Sequence, residues 1–137
     1  MKILMVCLGN ICRSPLAQGI MELHAPADWR IDSAGTSGWH EDERPDTRSI
    51  LIAKERGIAI DHQRSRQVNE EDFETFDIIF AMDSSNYTNL IRLAPNEAAK
   101  AKVRLILNEA YPGENRQVPD PYTGGQSGFR HVYELLE

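Results

Sequence analysis

Cysteine is scarce in this chain: Cys7 and Cys12 are the two present in 137 residues. A single pair five positions apart is not the framework of a disulfide-stapled secreted domain. Its spacing is also uncommon for zinc, and no second pair exists to complete a site. Long apolar runs are missing as well. No stretch approaches the ~20 residues needed to cross a bilayer, and Met1 to Val6 is too short for a signal-peptide core. Basic residues are outnumbered, 15 Lys and Arg against 21 Asp and Glu, for a formal charge of −6. That balance argues against a nucleic acid or an anionic membrane as partner, since either favours a basic patch. It leaves room for a small anionic ligand, which needs only local positive potential. There is no internal repeat, low-complexity segment or linker. The remainder, 41% hydrophobic and 26% charged, is ordinary for a globular protein. The chain reads as one cytoplasmic domain, 1–137, long enough to bury a core.

What is present alternates between strand and helix patterns. Ile3 to Val6 is a short apolar run, strand-like and buried on both faces. After a loop, Ser14-Pro15 predicts a helix N-cap followed by proline at the first helical position. Leu16, Ile20 and Leu23 then recur at helical spacing. Trp29 to Ser33 predicts a second strand. Thr36 to Asp46, with five charged side chains, predicts an exposed loop. A helix is expected from Asp46 to Arg56, stopped by Gly57. A short helix from about Asn69 leads to a third strand, Ile78 to Met82. Helices follow at Ser84 to Leu93 and Asn96 to Lys102, then a fourth strand at Val103 to Leu107. A long loop and a last helix, Gly128 to Glu137, complete the chain. Strands separated by helices imply right-handed crossovers, hence an α/β fold with a four-stranded parallel sheet flanked by helices on both faces. Ligands in such sheets bind beyond the carboxyl ends of the strands, the edge at which the loop Cys7 to Arg13 leaves the first strand.

That loop, Cys7-Leu8-Gly9-Asn10-Ile11-Cys12-Arg13-Ser14, carries the chemistry. If it closes around a tetrahedral anion, its successive N–H groups form an anion nest and the following helix adds its positive end. Gly9 permits the close approach, and Asn10 tolerates left-handed backbone and can bond across the loop. Arg13 offers a planar fork that matches two phosphate oxygens. Cys7 then lies in an electropositive cup that favours thiolate, the nucleophilic form, and the Ser14 hydroxyl can donate to the same sulfur. The loop lacks the lysine and glycine spacing of a nucleotide-binding P-loop. Neither metal nor cofactor is expected.

These residues resemble the low-molecular-weight protein tyrosine phosphatase family. Cys7 to Ser14 matches that family's loop at every position. Asp32-Ser33, Trp39, Arg66-Gln67-Val68, Asp72-Phe73, Phe76-Asp77, Met82-Asp83 and Asp120-Pro121-Tyr122 stand at suitable places along nearly the whole chain. The resemblance implies hydrolysis of phosphotyrosine without a metal. Cys7 resembles the nucleophile, Arg13 the phosphate-binding arginine and Asp120 the general acid and later base. Leu8, Gly9, Asn10, Ile11, Cys12 and Ser14 resemble the phosphate-binding loop, and Trp39 and Tyr122 the aromatic walls around the substrate ring. Asn10, Ser14, Ser33 and His62 resemble a hydrogen-bond network that holds the loop. The expected partners are phosphotyrosine-containing proteins, with phosphate or another oxyanion in the loop, and the protein itself a monomer or weak homodimer.

Two related activities fit less well. Arsenate reductases with this loop relay a disulfide along further cysteines, and none follows Cys12. Arginine-phosphate phosphatases of this type favour threonine at the position of Ile11. Cys12 keeps two readings, a packing residue behind the loop or a partner that traps oxidised Cys7 as a disulfide. The helical repeat Phe129, Val132, Tyr133 and Leu136 runs to the chain end, which points to a cropped tail.

Overall fold

The first strand, β1 (Lys2–Cys7), consists almost wholly of buried residues, with Ile3, Leu4, Met5, Val6 and Cys7 each at most 2% exposed. A strand this apolar is stable only where both faces are covered, and it lies inside a four-stranded sheet. A computed structural model describes residues 1–38, 41–119 and 136. Within them the order is β1, α1 (Arg13–His24), β2 (Arg30–Gly35), α2 (Thr47–Glu55), α3 (Asp72–Thr75), β3 (Ile78–Ala81), α4 (Ser84–Leu93), α5 (Glu97–Lys100) and β4 (Val103–Leu105). A 3-10 turn, Ile106–Glu109, follows β4. The sheet order is β2-β1-β3-β4, and every pairing is parallel.

Successive side chains of a strand point to opposite faces, and β1 divides its residues accordingly. Ile3, Met5 and Cys7 join one core with Leu16 and Ile20 of α1, Ile52 and Ala53 of α2, and Ile58 and Ile60. Leu4 and Val6 join another with Phe73 of α3, Phe76, and Leu90 of α4. The sheet therefore carries helices on both faces. Leu4 has no exposed surface, so Leu4→Ala is expected to cost about 3 kcal/mol. That is a fall of roughly 10 °C in Tm, and a shift below about 3 °C would contradict this packing.

The chain steps from β1 to β2 on one side and then crosses to β3 on the other. The connections thus diverge at the carboxyl end of β1, where such sheets leave a crevice. Cys7 is the last residue of that strand and pairs in register with Gly35, the last of β2.

Most helix boundaries follow local chemistry. Asp46 caps α2 by accepting from Arg48 N at 2.9 Å, and Gly57 beyond its end has φ +78°. Asp83 caps α4 and Asn96 caps α5 in the same way, each at 2.8 Å. Several expected boundaries need correction. β2 runs on to Gly35 rather than stopping at Ser33, and α5 stops at Lys100 rather than Lys102. Helix α1 begins at Arg13 with Cys12 as its N-cap and no side-chain cap, because the Ser14 hydroxyl is engaged elsewhere. β4 ends at Leu105 rather than Leu107, the chain turning into the 3-10 turn. The final helix expected over 128–137 lies outside the described residues, apart from Leu136, which packs against the first core.

Candidate active site

The loop between β1 and α1 is shaped by its carbonyl groups. Cys7 O accepts from Thr36 N at 2.9 Å and Leu8 O from Ser37 N at 2.9 Å. Ile11 O accepts from Asp46 N at 2.6 Å, and Cys12 O from the Ser49 hydroxyl at 3.2 Å. The ends of β2 and the start of α2 thus hold the carbonyls on the outer side of the loop. Among the described residues, the N–H groups of Leu8, Gly9, Asn10 and Ile11 meet no acceptor. An arc of unpaired amides next to a helix N-terminus is an anion-binding arrangement, and the first turn of α1 carries no acidic residue to oppose it.

Asn10 is the pivot of this loop. Its φ of 57° places it in the left-handed region, which asparagine tolerates better than most residues. Its Nδ2 donates to Ser14 Oγ at 2.8 Å, and its Oδ1 accepts from Arg66 N at 3.0 Å. Ser14 Oγ lies 3.1 Å from Cys7 Sγ. Cys7, Asn10, Ser14 and Cys12 are all buried, with Leu8 and Gly9 half-buried. Ile11 lines a groove at the loop edge with Pro45 and Ile50. The two cysteines are not joined in a disulfide.

Arg13 is a charged side chain only 2% exposed. Its Nη1 donates to Asp83 Oδ2 at 2.6 Å and to Val118 O at 2.9 Å. Asp83 has two duties, since its other oxygen accepts from Asn86 N at the start of α4. The sequence reading assigned no role to Asp83. The signal was present in part, because an aspartate between a strand and Ser84-Ser85 reads as a helix cap at the carboxyl edge of the sheet. Nothing local indicates that Arg13 is its partner.

The four-residue supporting network divides. Asn10 and Ser14 bond to each other, but the Ser33 hydroxyl donates to Gln18 Oε1 at 2.6 Å. His62 is exposed, and it is the next residue, Gln63, that turns inward, its Nε2 donating to Pro15 O at 3.2 Å. Three predicted site residues, Trp39, Asp120 and Tyr122, lie outside the described residues. Among the described residues no cluster of His, Cys, Asp or Glu is arranged to hold a metal ion.

The model of the low molecular weight phosphotyrosine protein phosphatase family matches residues 2–137. The chain belongs to this family. A low molecular weight phosphotyrosine protein phosphatase of Schizosaccharomyces pombe is 44% identical over 142 residues, covering 98% of this chain and 89% of its own. The human protein of the same name is 40% identical over 139 residues, covering 97% and 87%. Among solved structures, a protein tyrosine phosphatase from Entamoeba histolytica, with Hepes in its active site, superposes with a TM-score of 0.92 at 42% identity. It covers all of this chain and 90% of its own. A Vibrio vulnificus protein, Wzb in complex with benzylphosphonate, superposes at 0.89 with 28% identity over 98% and 90% of the two chains. The four-stranded parallel sheet flanked by helices is thus this phosphatase family's fold, and its members are phosphoric monoester hydrolases.

Proposed function

We propose that this protein hydrolyses phosphotyrosine in protein substrates through a phosphocysteine on Cys7. The observation that carries this reading is the Ser14 hydroxyl 3.1 Å from Cys7 Sγ, at the base of a loop in which the N–H groups of Leu8, Gly9, Asn10 and Ile11 meet no acceptor among the described residues. The Ser14 hydroxyl, the helix N-terminus and the N–H groups of Leu8 to Ile11 converge where an attacking sulfur and a tetrahedral anion would meet.

In the first step the S–P bond forms as the bond from phosphorus to the aryl oxygen breaks. The loop amides and Arg13 hold the other phosphate oxygens, where charge is concentrated in the transition state. Asp120 gives its proton to the departing phenol oxygen. As carboxylate it then takes a proton from water, whose oxygen attacks phosphorus. The S–P bond breaks, and orthophosphate and the thiolate are released. Trp39 and Tyr122 flank the substrate ring in this reading. Benzylphosphonate, the ligand of the Vibrio relative, joins a phenyl ring to a tetrahedral phosphonate and is the kind of molecule such a site accepts. Two cysteines without a disulfide between them fit a reducing cytoplasm.

Turnover of a phosphotyrosine peptide beside phosphoarginine and phosphoserine, for wild type and Cys7→Ser with EDTA present, tests the reading. Rapid phosphotyrosine hydrolysis that survives EDTA and vanishes in Cys7→Ser is expected. Preference for phosphoarginine would keep the loop chemistry and overturn the substrate; activity retained by Cys7→Ser would overturn the mechanism. Ser14→Ala removes one donor to a charged sulfur and is expected to lower kcat about 10- to 100-fold. The amides that hold phosphate remain, so KM should change little. Steady-state kinetics on an aryl phosphate separates the two parameters.

A further inference from the structure

The segment Arg66-Gln67-Val68 touches the active site from outside the loop and has no part in the chemistry proposed above. Gly35 N donates to Arg66 O at 2.8 Å and Val68 N to Gly35 O at 2.8 Å. Gly35 and Gln67 form an isolated parallel bridge, so these residues add a short extended piece at the end of β2. Arg66 N points the other way, donating to Asn10 Oδ1 at 3.0 Å.

The Arg66 side chain is clamped. Nη1 and Nη2 donate to the two oxygens of Asp72, each at 3.0 Å, in a bidentate pair. Nη2 also reaches Asp32 Oδ2 at 3.3 Å. Asp72 is the first residue of α3, is 6% exposed, and is itself fixed by Asn69 N at 2.9 Å. Asp32 belongs to β2. Burial works against the charge on Arg66, but the two carboxylates outweigh it and hold the guanidinium above its ordinary pKa. A bidentate arginine–carboxylate pair defines orientation as well as contact, so β2 and α3 together locate the Arg66 backbone.

The consequence lies in the direction of the hydrogen bonds. A backbone N–H can only donate, so the end of the Asn10 amide that faces Arg66 must be its oxygen. The other end is then the NH2 group, which can only donate to Ser14 Oγ. One Ser14 lone pair is then occupied, and when Cys7 acts as the thiolate nucleophile, which can only accept, the single Ser14 hydrogen is the donor across the 3.1 Å to Cys7 Sγ. Each step sets the polarity of the next, and the series begins at Arg66.

We infer that Arg66 is a positioning residue for the nucleophile: anchored by Asp72 and Asp32, its N–H sets the direction of the chain Asn10–Ser14–Cys7 and so commits the Ser14 hydroxyl to the sulfur. This rests on the phosphatase reading of Cys7. The anchoring carboxylates and the sulfur stand at opposite ends of one chain of contacts, so a change at Arg66 reaches catalysis through Ser14.

The test is a double-mutant cycle on the full chain, Arg66→Met against Ser14→Ala, using an aryl phosphate. Methionine keeps the apolar stem and removes the clamp. Arg66→Met is expected to lower kcat about tenfold with KM changed less than twofold. In the Ser14→Ala background the same substitution should cost less than twofold, because residues acting through one chain are not additive. Alkylation of Cys7 by iodoacetamide, followed by peptide mass, should slow in Arg66→Met and no further in the double variant; it reads thiolate character without any turnover. Asp32→Asn, at a half-exposed site, weakens the clamp more gently and should give a smaller loss with the same non-additivity, so the inference remains open to test if Arg66→Met does not fold. Wild-type turnover with equal kcat in Arg66→Met, or an equal loss with and without Ser14, overturns the role of Arg66 and leaves the phosphatase reading standing. Wild type inactive on every phosphate ester, yet with alkylation slowed as described, overturns the phosphatase reading and leaves the positioning role standing.

Discussion

Asp83→Ala is expected to destabilise the folded protein by about 3–5 kcal/mol and to lower kcat/KM by more than a hundredfold. Arg13 is 2% exposed, and Asp83 approaches its Nη1 to 2.6 Å. Removing a carboxylate from a buried cation leaves desolvation that its attraction had offset, and this outweighs the modest worth of the intact pair. The same substitution removes the side-chain cap of α4, which adds roughly 1 kcal/mol. Asp83→Asn separates the two effects, since asparagine caps a helix about as well and still accepts a hydrogen bond. It should recover the cap share alone and remain several-fold less active. In the proposed site inorganic phosphate brings negative charge to the same arginine, so it should stabilise Asp83→Ala by about 2.7 kcal/mol at a hundred times its Kd. Urea unfolding with and without phosphate measures both quantities. A variant as stable as wild type would mean that Arg13 does not depend on this carboxylate.

The second large effect is expected at Gly35. A Cβ there would lie 2.7 Å from Leu8 O and 3.1 Å from both Gly9 C and Asn10 N. All three atoms are backbone of the anion-binding loop, so no flexible side chain can yield. Gly35→Ala should cost about 1–3 kcal/mol as an overpacking change, and Gly35→Val more. The functional loss should exceed the loss of stability, because a displacement of about 1 Å at a reacting group can cost about a hundredfold in rate. Gly57 supplies the comparison. It also lacks a side chain, but a Cβ there meets nothing within 4 Å, and its cost is the positive φ of 78° alone. Gly57→Ala is expected to lose about 1 kcal/mol of stability and to keep wild-type kcat/KM. Kinetics beside thermal unfolding for the three variants tests the contrast. Equal activity in Gly35→Val and wild type would show that the end of β2 does not shape the loop.

Sequence and structure contribute different parts of this account. The apolar run at Ile3 to Val6, the helix entered at Asp46, the stop at Gly57 and the start of α4 at Ser84 are local features, written in hydrophobic period and in side chains that bond to their own backbone. The loop is equally legible, because Cys7, Gly9, Asn10, Arg13 and Ser14 lie within eight consecutive positions between a strand and a helix. Where local rules compete, they mislead. Ser14-Pro15 has the composition of a helix cap, yet Ser14 spends its hydroxyl on Cys7 and Asn10, and α1 begins two residues earlier than that cap predicts. His62, which the family resemblance places in the hydrogen-bond network of the loop, is exposed, and the chain turns Gln63 inward. No local pattern distinguishes two adjacent polar residues before the neighbouring elements have packed.

By itself, then, the sequence determined the order of strands and helices, the loop proposed to carry the nucleophile and the family, since each depends on residues close together in the chain. The tertiary structure alone decided which polar groups serve that loop. Arg13 finds Asp83 seventy residues away, and Asn10 finds Arg66 across fifty-six. These partners are chosen by the sheet order β2-β1-β3-β4, which brings the carboxyl ends of distant strands to one edge. A buried charge or amide must be satisfied by whatever group packing places within reach, and that choice is made in three dimensions.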